Sequence, residues 1–299
     1  MNCKQCPRKC GAERLPEKNG GYCGAPELPK IARAALHFWE EPAISGKNGS
    51  GTIFFSGCPL KCVFCQNQPI SRGGVGEIVS IEHLAALIKS LEEQGAHNIN
   101  FVTPTHYVHA IKAALEIYRP NIPIVYNCGG YERVETLREL EGLVDIYLPD
   151  LKYSDDVLAA ELSGAGDYFA NATEAIREMF RQTGKAEYDE NGMLKKGTVV
   201  RHLILPGHVR NTIGVLKWLR DELPDATISV MAQYFPIGKF PDHPELERPI
   251  TEKEHERVLN FLEKNGMTDG WVQDRESADA SYVPQFYNEL PTLDNNTEV

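Results

Sequence analysis

Between residues 52 and 231 short β-type runs and amphipathic helical patterns alternate with little else between them, and no other feature narrows the fold as far. Apolar, β-branched or aromatic runs at 52–56, 98–103, 122–126, 145–148, 199–205 and 227–231 read as strands. Helix periodicity appears at 80–94, 107–118, 133–141, 155–162, 173–183 and 212–223, with a further helix at 251–265. Ser80, three residues before His83, marks one helix start, and Thr251, three before Glu254, has the capping-box pattern. Strand then helix, six times over, implies an α/β fold: a parallel sheet with right-handed crossovers. No internal period points to a solenoid. At 299 residues the chain can bury one large core, and length alone also admits two smaller domains.

In such a sheet the chemistry gathers at the carboxyl ends of the strands. Gly57-Cys58-Pro59-Leu60-Lys61-Cys62-Val63-Phe64-Cys65 follows the first predicted strand directly. Thr103-Pro104-Thr105-His106, Asn127-Cys128-Gly129-Gly130 and Pro149-Asp150-Leu151-Lys152-Tyr153 follow the next three, Pro206-Gly207-His208 the fifth and Gln233-Tyr234 the last. All are expected to face one mouth. Cys58, Cys62 and Cys65 leave gaps of three and two residues, so one turn of backbone can aim three thiolates at a soft centre. A structural zinc takes four protein ligands and a ferredoxin-type cubane four cysteines, whereas this loop has no nearby fourth. Either one metal position is open, or a zinc knuckle is completed from elsewhere, or three thiols are merely buried.

The first 30 residues carry a second set, Cys3, Cys6, Cys10 and Cys23, among glycines and without strand or helix periodicity. A segment this short buries too little apolar surface to order itself, so a closed, non-catalytic metal site is expected: tetrahedral zinc or an auxiliary iron-sulfur cluster. Residues 31–51 then lead through Glu40 and Glu41 and a glycine-rich loop into the main domain. Adjacent side chains diverge in helix or strand, so these two carboxylates are expected to be solvated or helix-capping. The formal charge of -11 argues against a polyanion-binding surface, so nucleic acid is not an expected partner. No apolar run reaches membrane-spanning length, and residues 1–6 lack the apolar core of a signal peptide. A reducing, cytoplasmic location is expected, where eight cysteines, seven of them in two clusters, point to metal rather than disulfides.

The cysteine loop resembles that of the radical S-adenosylmethionine (radical SAM) enzymes. Runs 50–67, 98–106, 145–153 and 201–207 make the likeness specific, to the uncharacterised iron-sulfur branch of the pyruvate formate-lyase activating enzyme homologues and, more distantly, to glycyl-radical-enzyme activases. The resemblance covers most of the chain. It implies a partial (β/α)6 TIM-like barrel over 31–270, after the Cys-rich segment 1–30 and before a C-terminal extension, 271–299, whose end is expected to be disordered. It implies a [4Fe-4S] cluster on Cys58, Cys62 and Cys65 with an open iron that binds S-adenosylmethionine. One-electron reductive cleavage, fed by a flavodoxin or ferredoxin, then yields a 5'-deoxyadenosyl radical that abstracts hydrogen from a protein glycine or a small molecule.

By the same resemblance Phe64 packs near the adenine, and Asp150 and Lys152 match an Asp-Leu-Lys motif beside the methionine group, where an ammonium pairs well with a metal-bound carboxylate. Two positions depart from the activases. Thr103-Pro104-Thr105 stands in place of Gly-Gly-Glu, so Thr103 and Thr105 offer oxygens but no charge to the SAM amino group. Asn127-Cys128 stands for an Asp-Thr pair near the cofactor, with Cys128 read as a small buried hydrophobe. His106, Gln233 and Tyr234 join the cofactor-binding candidates on position alone, while His109, His202 and His208 read as hydrogen-bonding or core residues. Tyr282, Phe286 and Tyr287 are placed across the barrel's open side. The rival class is a non-catalytic iron-sulfur or zinc protein for electron transfer or partner binding. A zinc hydrolase ranks third, lacking a His-rich ligand set.

Overall fold

The computed structural model describes residues 3–277 together with Pro284 and Phe286. Strand β1 (Lys30–His37) runs antiparallel to β2 (Ser50–Phe55), and the two-residue β3 (Glu77–Ile78) pairs with the other edge of β1. Next come β4 (Ile99–Val102), β5 (Ile124–Cys128), β6 (Ile146–Pro149), β7 (Glu187–Tyr188), β8 (Leu194–Leu203), β9 (Thr227–Met231) and β10 (Gly270–Val272). The sheet order is β10-β9-β8-β6-β5-β4-β2-β1-β3, parallel from β2 to β10, with β7 antiparallel to β8. Six of the parallel strands are sequential neighbours, as the alternation predicted. The fold is therefore an open α/β half-barrel, not a closed one.

Helices α1 (Pro42–Ser45), α2 (Gln68–Ser71), α3 (Ile81–Glu93), α4 (Val108–Ile117), α5 (Val134–Arg138), α6 (Asp156–Ser163), α7 (Tyr168–Thr183), α8 (Val209–Glu222) and α9 (Glu252–Lys264) complete the chain. Ser80 accepts the His83 N–H ahead of α3, and Thr251 with Glu254 forms the full capping box of α9. Helix α7 starts five residues before the sequence signal, because the α6 residue Asp156 accepts the otherwise orphaned N–H of Phe169 at 2.8 Å. Strand β1 is a correction: its alanines carry little β-propensity, and its register with β2, not its composition, makes it a strand.

Side chains alternate across the sheet with period two. Ile53, Phe55, Ile99, Phe101, Ile124 and Tyr126 face outward and bury against α3 and α4. Val125, Ile146, Leu148 and Val199 face the concave side, where α1 plugs the lower end with Ala43 and the fully buried Ile44. The Cys-rich N-terminal segment is packed on the body of the domain: Arg14 is buried and donates to the carbonyls of Pro26 and His106. At the other end Phe286 meets Phe54 edge-on at 5.4 Å. Tyr282, Tyr287 and the tail end at 293–299 lie outside the described residues. No helix of the described residues is long and apolar enough to cross a membrane.

Candidate active site

One step of two residues up the concave strands changes the chemistry. Val125 gives way to Asn127, Leu148 to Asp150 and Val199 to Arg201, so the upper layer is polar where the lower is apolar. Arg201 is the hub. Its Nε donates to Asp150 Oδ1 at 2.9 Å, Nη1 to Glu40 Oε2 at 3.0 Å and Nη2 to Asn127 Oδ1 at 2.6 Å. Lys152 Nζ donates to the other Asp150 oxygen at 2.6 Å. Glu40 Oε1 accepts from Asn100 at 3.2 Å and from Asn127 at 3.1 Å. Such a set is tolerable out of water only because every charge is paired and bonded.

Burial alone would raise the Asp150 carboxyl, but Arg201 and Lys152 outweigh it and hold its pKa below the ordinary value. Lys152 moves up, since Asp150 more than offsets the desolvation that would lower it. Glu40 goes the other way: desolvation exceeds the help from Arg201 and raises it. The expectation that Glu40 and Glu41 are solvated is overturned, since Glu40's side chain is 9% exposed and Glu41 is 8% exposed. Glu41 stands at the N-cap of α1, yet its side chain caps nothing. The turn after β6 is pinned by the Tyr168 hydroxyl, which accepts the Lys152 N–H at 2.9 Å and donates to the Asp150 carbonyl at 2.7 Å.

The cysteine loop lies across the same end. It is tied to α6 by the Val63 N–H on the Leu162 carbonyl at 2.8 Å. Each thiol sulfur accepts one hydrogen bond: Cys62 from Ser163 Oγ at 2.9 Å, Cys58 from the Leu60 N–H at 3.4 Å, Cys65 from Ser71 Oγ at 3.4 Å. All three line a cavity of about 140 Å³ together with Thr103, Thr105, Asn127, Asp150 and Lys152. A neighbouring cavity of about 220 Å³ shares Cys62, Cys65, Asn127, Asp150 and Lys152, and adds Phe64, Gln233, Glu40 and Trp39. Desolvation and their mutual repulsion push the Cys58 thiol well up, so a bound metal must drive its ionisation.

Among the described residues no three His, Cys, Asp or Glu side chains converge as one chelated ion requires. A zinc ion draws its thiolates in to about 2.3 Å, whereas a cubane spreads them over separate irons. Three thiols ringing a cavity, each sulfur supplied with a donor, fit the cluster.

Not every candidate reaches these cavities. His106 is buried behind the loop, its Nε2 on the Ser56 carbonyl at 2.8 Å and its pKa lowered to about 3 by burial. Tyr234 supports Phe64 from outside the lining, with ring centroids 6.4 Å apart and its hydroxyl on the Leu246 carbonyl at 2.6 Å. Both had been placed by closeness to a strand end, which does not set side-chain direction. His202 bonds the Leu151 carbonyl and Thr212, as a core histidine should.

Thr103 adopts φ +58°, the left-handed region that a β-branched residue avoids at a cost of about 1–3 kcal/mol. The strain sits in the cavity wall. Glu132 lines the same cavity and accepts from Thr105 Oγ1 at 2.5 Å and Tyr126 Oη at 3.1 Å, and burial raises its carboxyl to about 7. Glu40, Glu132 and Arg201 were missing from the sequence-based set. Only Arg201 left a signal there, as the one Arg or Lys within the predicted strand 199–205.

The profile of the Radical SAM superfamily matches residues 52–219. The uncharacterized protein MJ0674 of Methanocaldococcus jannaschii is 31% identical over 273 residues, which is 88% of this chain and 75% of that protein. Two solved structures of Streptococcus suis SuiB resemble the fold. The one bound to precursor peptide SuiA has a TM-score of 0.48 at 14% identity and covers 73% of this chain and 46% of SuiB. The other has a TM-score of 0.47 at 13% identity and covers 75% and 48%. The chain thus spans about half the length of these solved structures.

Proposed function

The chain belongs to the radical SAM superfamily, and from that premise we propose that Cys58, Cys62 and Cys65 hold its [4Fe-4S] cluster and that S-adenosylmethionine lies across the two joined cavities. The observation that carries this reading is the shared wall: the three thiols and the Lys152–Asp150–Arg201 chain border the same space. When bound, the cluster supplies the electron that splits S-adenosylmethionine into methionine and a 5'-deoxyadenosyl radical.

The chain's own residues do the rest. Asp150 is held twice, so Lys152 can turn to the cofactor carboxylate while Arg201 keeps Asp150 paired. Glu40 and Asn127 fix the Arg201 guanidinium from two sides. Thr103 and Thr105 present oxygens to the cofactor's ammonium, and Phe64 offers its ring to the adenine, with Gln233 at the same wall. Phe54, Leu203, Met231 and Phe235 line the larger cavity and exclude water from a reactive radical. Hydrogen is abstracted there from a protein glycine, in an activase role, or from a small molecule. A flavodoxin or ferredoxin in the cytoplasm supplies the electron.

The test is release of 5'-deoxyadenosine and methionine from anaerobically reconstituted protein given dithionite and S-adenosylmethionine. Lys152→Met is expected to raise the cofactor concentration for half-maximal release by about tenfold or more, the loss of one charge-assisted bond. A loaded, reduced protein that releases neither product contradicts the reading.

A further inference from the structure

We propose that Cys3, Cys6, Cys10 and Cys23 hold a second, fully ligated [4Fe-4S] cluster that relays single electrons to the cluster of Cys58, Cys62 and Cys65. The destination rests on the function proposed above; the second site rests on its own residues. The Gly11 N–H donates to the Cys3 carbonyl and the Lys9 N–H to the Cys6 carbonyl, both at 3.0 Å, and a Cβ at Gly21, two residues before Cys23, would lie 3.3 Å from Cys10 Sγ, so the four cysteines share one small knot of chain. The set does not draw together around a single ion, and neither does the three-cysteine loop whose cluster the family implies. Four cysteines supply the full ligand set of a cubane, with no iron left open.

Three features make the site a relay rather than a staple. The Cys23 carbonyl accepts the N–H of Cys58 at 3.4 Å, so a ligand of one site is hydrogen-bonded to a ligand of the other. Gly57 permits the approach: it has φ +87°, and a Cβ there would lie 2.8 Å from the Cys23 oxygen. The segment is also docked on the domain, with Arg8 donating to Pro59 O at 3.0 Å and lying 5.2 Å over the Tyr131 ring, and Thr136 Oγ1 donating to Gln5 O at 2.9 Å. At the outer side Cys10 is exposed between exposed Lys9 and Gly11, in a stretch (3–30) with six basic and three acidic side chains on an otherwise acidic chain. An acidic one-electron carrier of the flavodoxin or ferredoxin class fits that surface. The carrier is oxidised by one electron, the N-terminal cluster passes from 2+ to 1+ and back, and the open cluster gains the electron. No bond breaks and no proton moves in the relay.

The test uses the full chain, isolated anaerobically. Wild-type protein is expected to hold about eight irons and eight sulfides, and the Cys58→Ala/Cys62→Ala/Cys65→Ala and Cys6→Ala/Cys23→Ala variants about four each. In the N-terminal variant the ratio of carrier-driven to dithionite-driven reduction of the remaining cluster should fall about tenfold or more. Because it is a ratio, general damage to the protein does not mimic the result. One zinc with about four irons in the wild type overturns the second cluster. An unchanged ratio overturns the relay. If the N-terminal variant keeps four irons but its cluster ignores S-adenosylmethionine, the function proposed above fails while the iron count still decides the second site.

Discussion

The lower and upper layers of the concave face are built by the same strands in the same phase, yet one is a dry apolar plug and the other a paired charge network. Val125, Leu148 and Val199 close the bottom on Ile44, and Asn127, Asp150 and Arg201, each two residues further on, gather Glu40 and Lys152 at the top. Strand phase decides which face a residue takes, and height along the strand decides its chemistry. The bottom can be sealed by the hydrophobic effect alone, whereas the top must keep charges ready for a ligand and so has to satisfy each with another.

Breaking the hub should cost most. Arg201→Met leaves the buried Glu40 without a cation and Asp150 with Lys152 alone, and a loss of about 3–5 kcal/mol is expected by urea denaturation. Adding Glu40→Gln should restore part of it, and a double variant no better than the single one would show that the network is not coupled. In the plug, Ile44→Ala should lose about 2–5 kcal/mol with bound iron unchanged. A fall in iron content there would mean that the two layers are not separable.

Glu132, in the wall of the smaller cavity, adds a pH signature. Its folded pKa of about 7 lies above the unfolded value of about 4.3, so the native state holds the extra proton between them. Its contribution is therefore present at acid pH and is lost as pH rises through that window, by about 4 kcal/mol. Relative to Glu132→Gln, wild-type stability should fall from pH 4.5 to pH 7 and run parallel above. A constant difference between the two would refute the raised pKa. Smallest is Ser163→Ala, which removes the bond to Cys62: about 1 kcal/mol in stability, and a more negative cluster potential by redox titration.

Much of this was legible beforehand because it depends on period and punctuation. The parallel strands, the capped starts of α3 and α9, and the clustering of Cys58, Asn127, Asp150 and Lys152 at one mouth follow from alternation and strand ends. What escaped depends on contacts between distant segments. Glu40 is 161 residues from Arg201, and adjacency to Glu41 says only that the two diverge. Strand β1 exists because β2 pairs with it. His106 and Tyr234 occupy the expected positions in the chain but turn away, since a strand end fixes where the backbone goes and not which way the following side chain points.

The central claim is an open iron at the mouth of the half-barrel. The most direct test is the electron paramagnetic resonance spectrum of the reduced protein with and without S-adenosylmethionine, beside the Cys58→Ala/Cys62→Ala/Cys65→Ala variant. The account predicts a cluster signal that S-adenosylmethionine alters and that the variant lacks. A fully loaded, reduced cluster whose signal is indifferent to S-adenosylmethionine would contradict it.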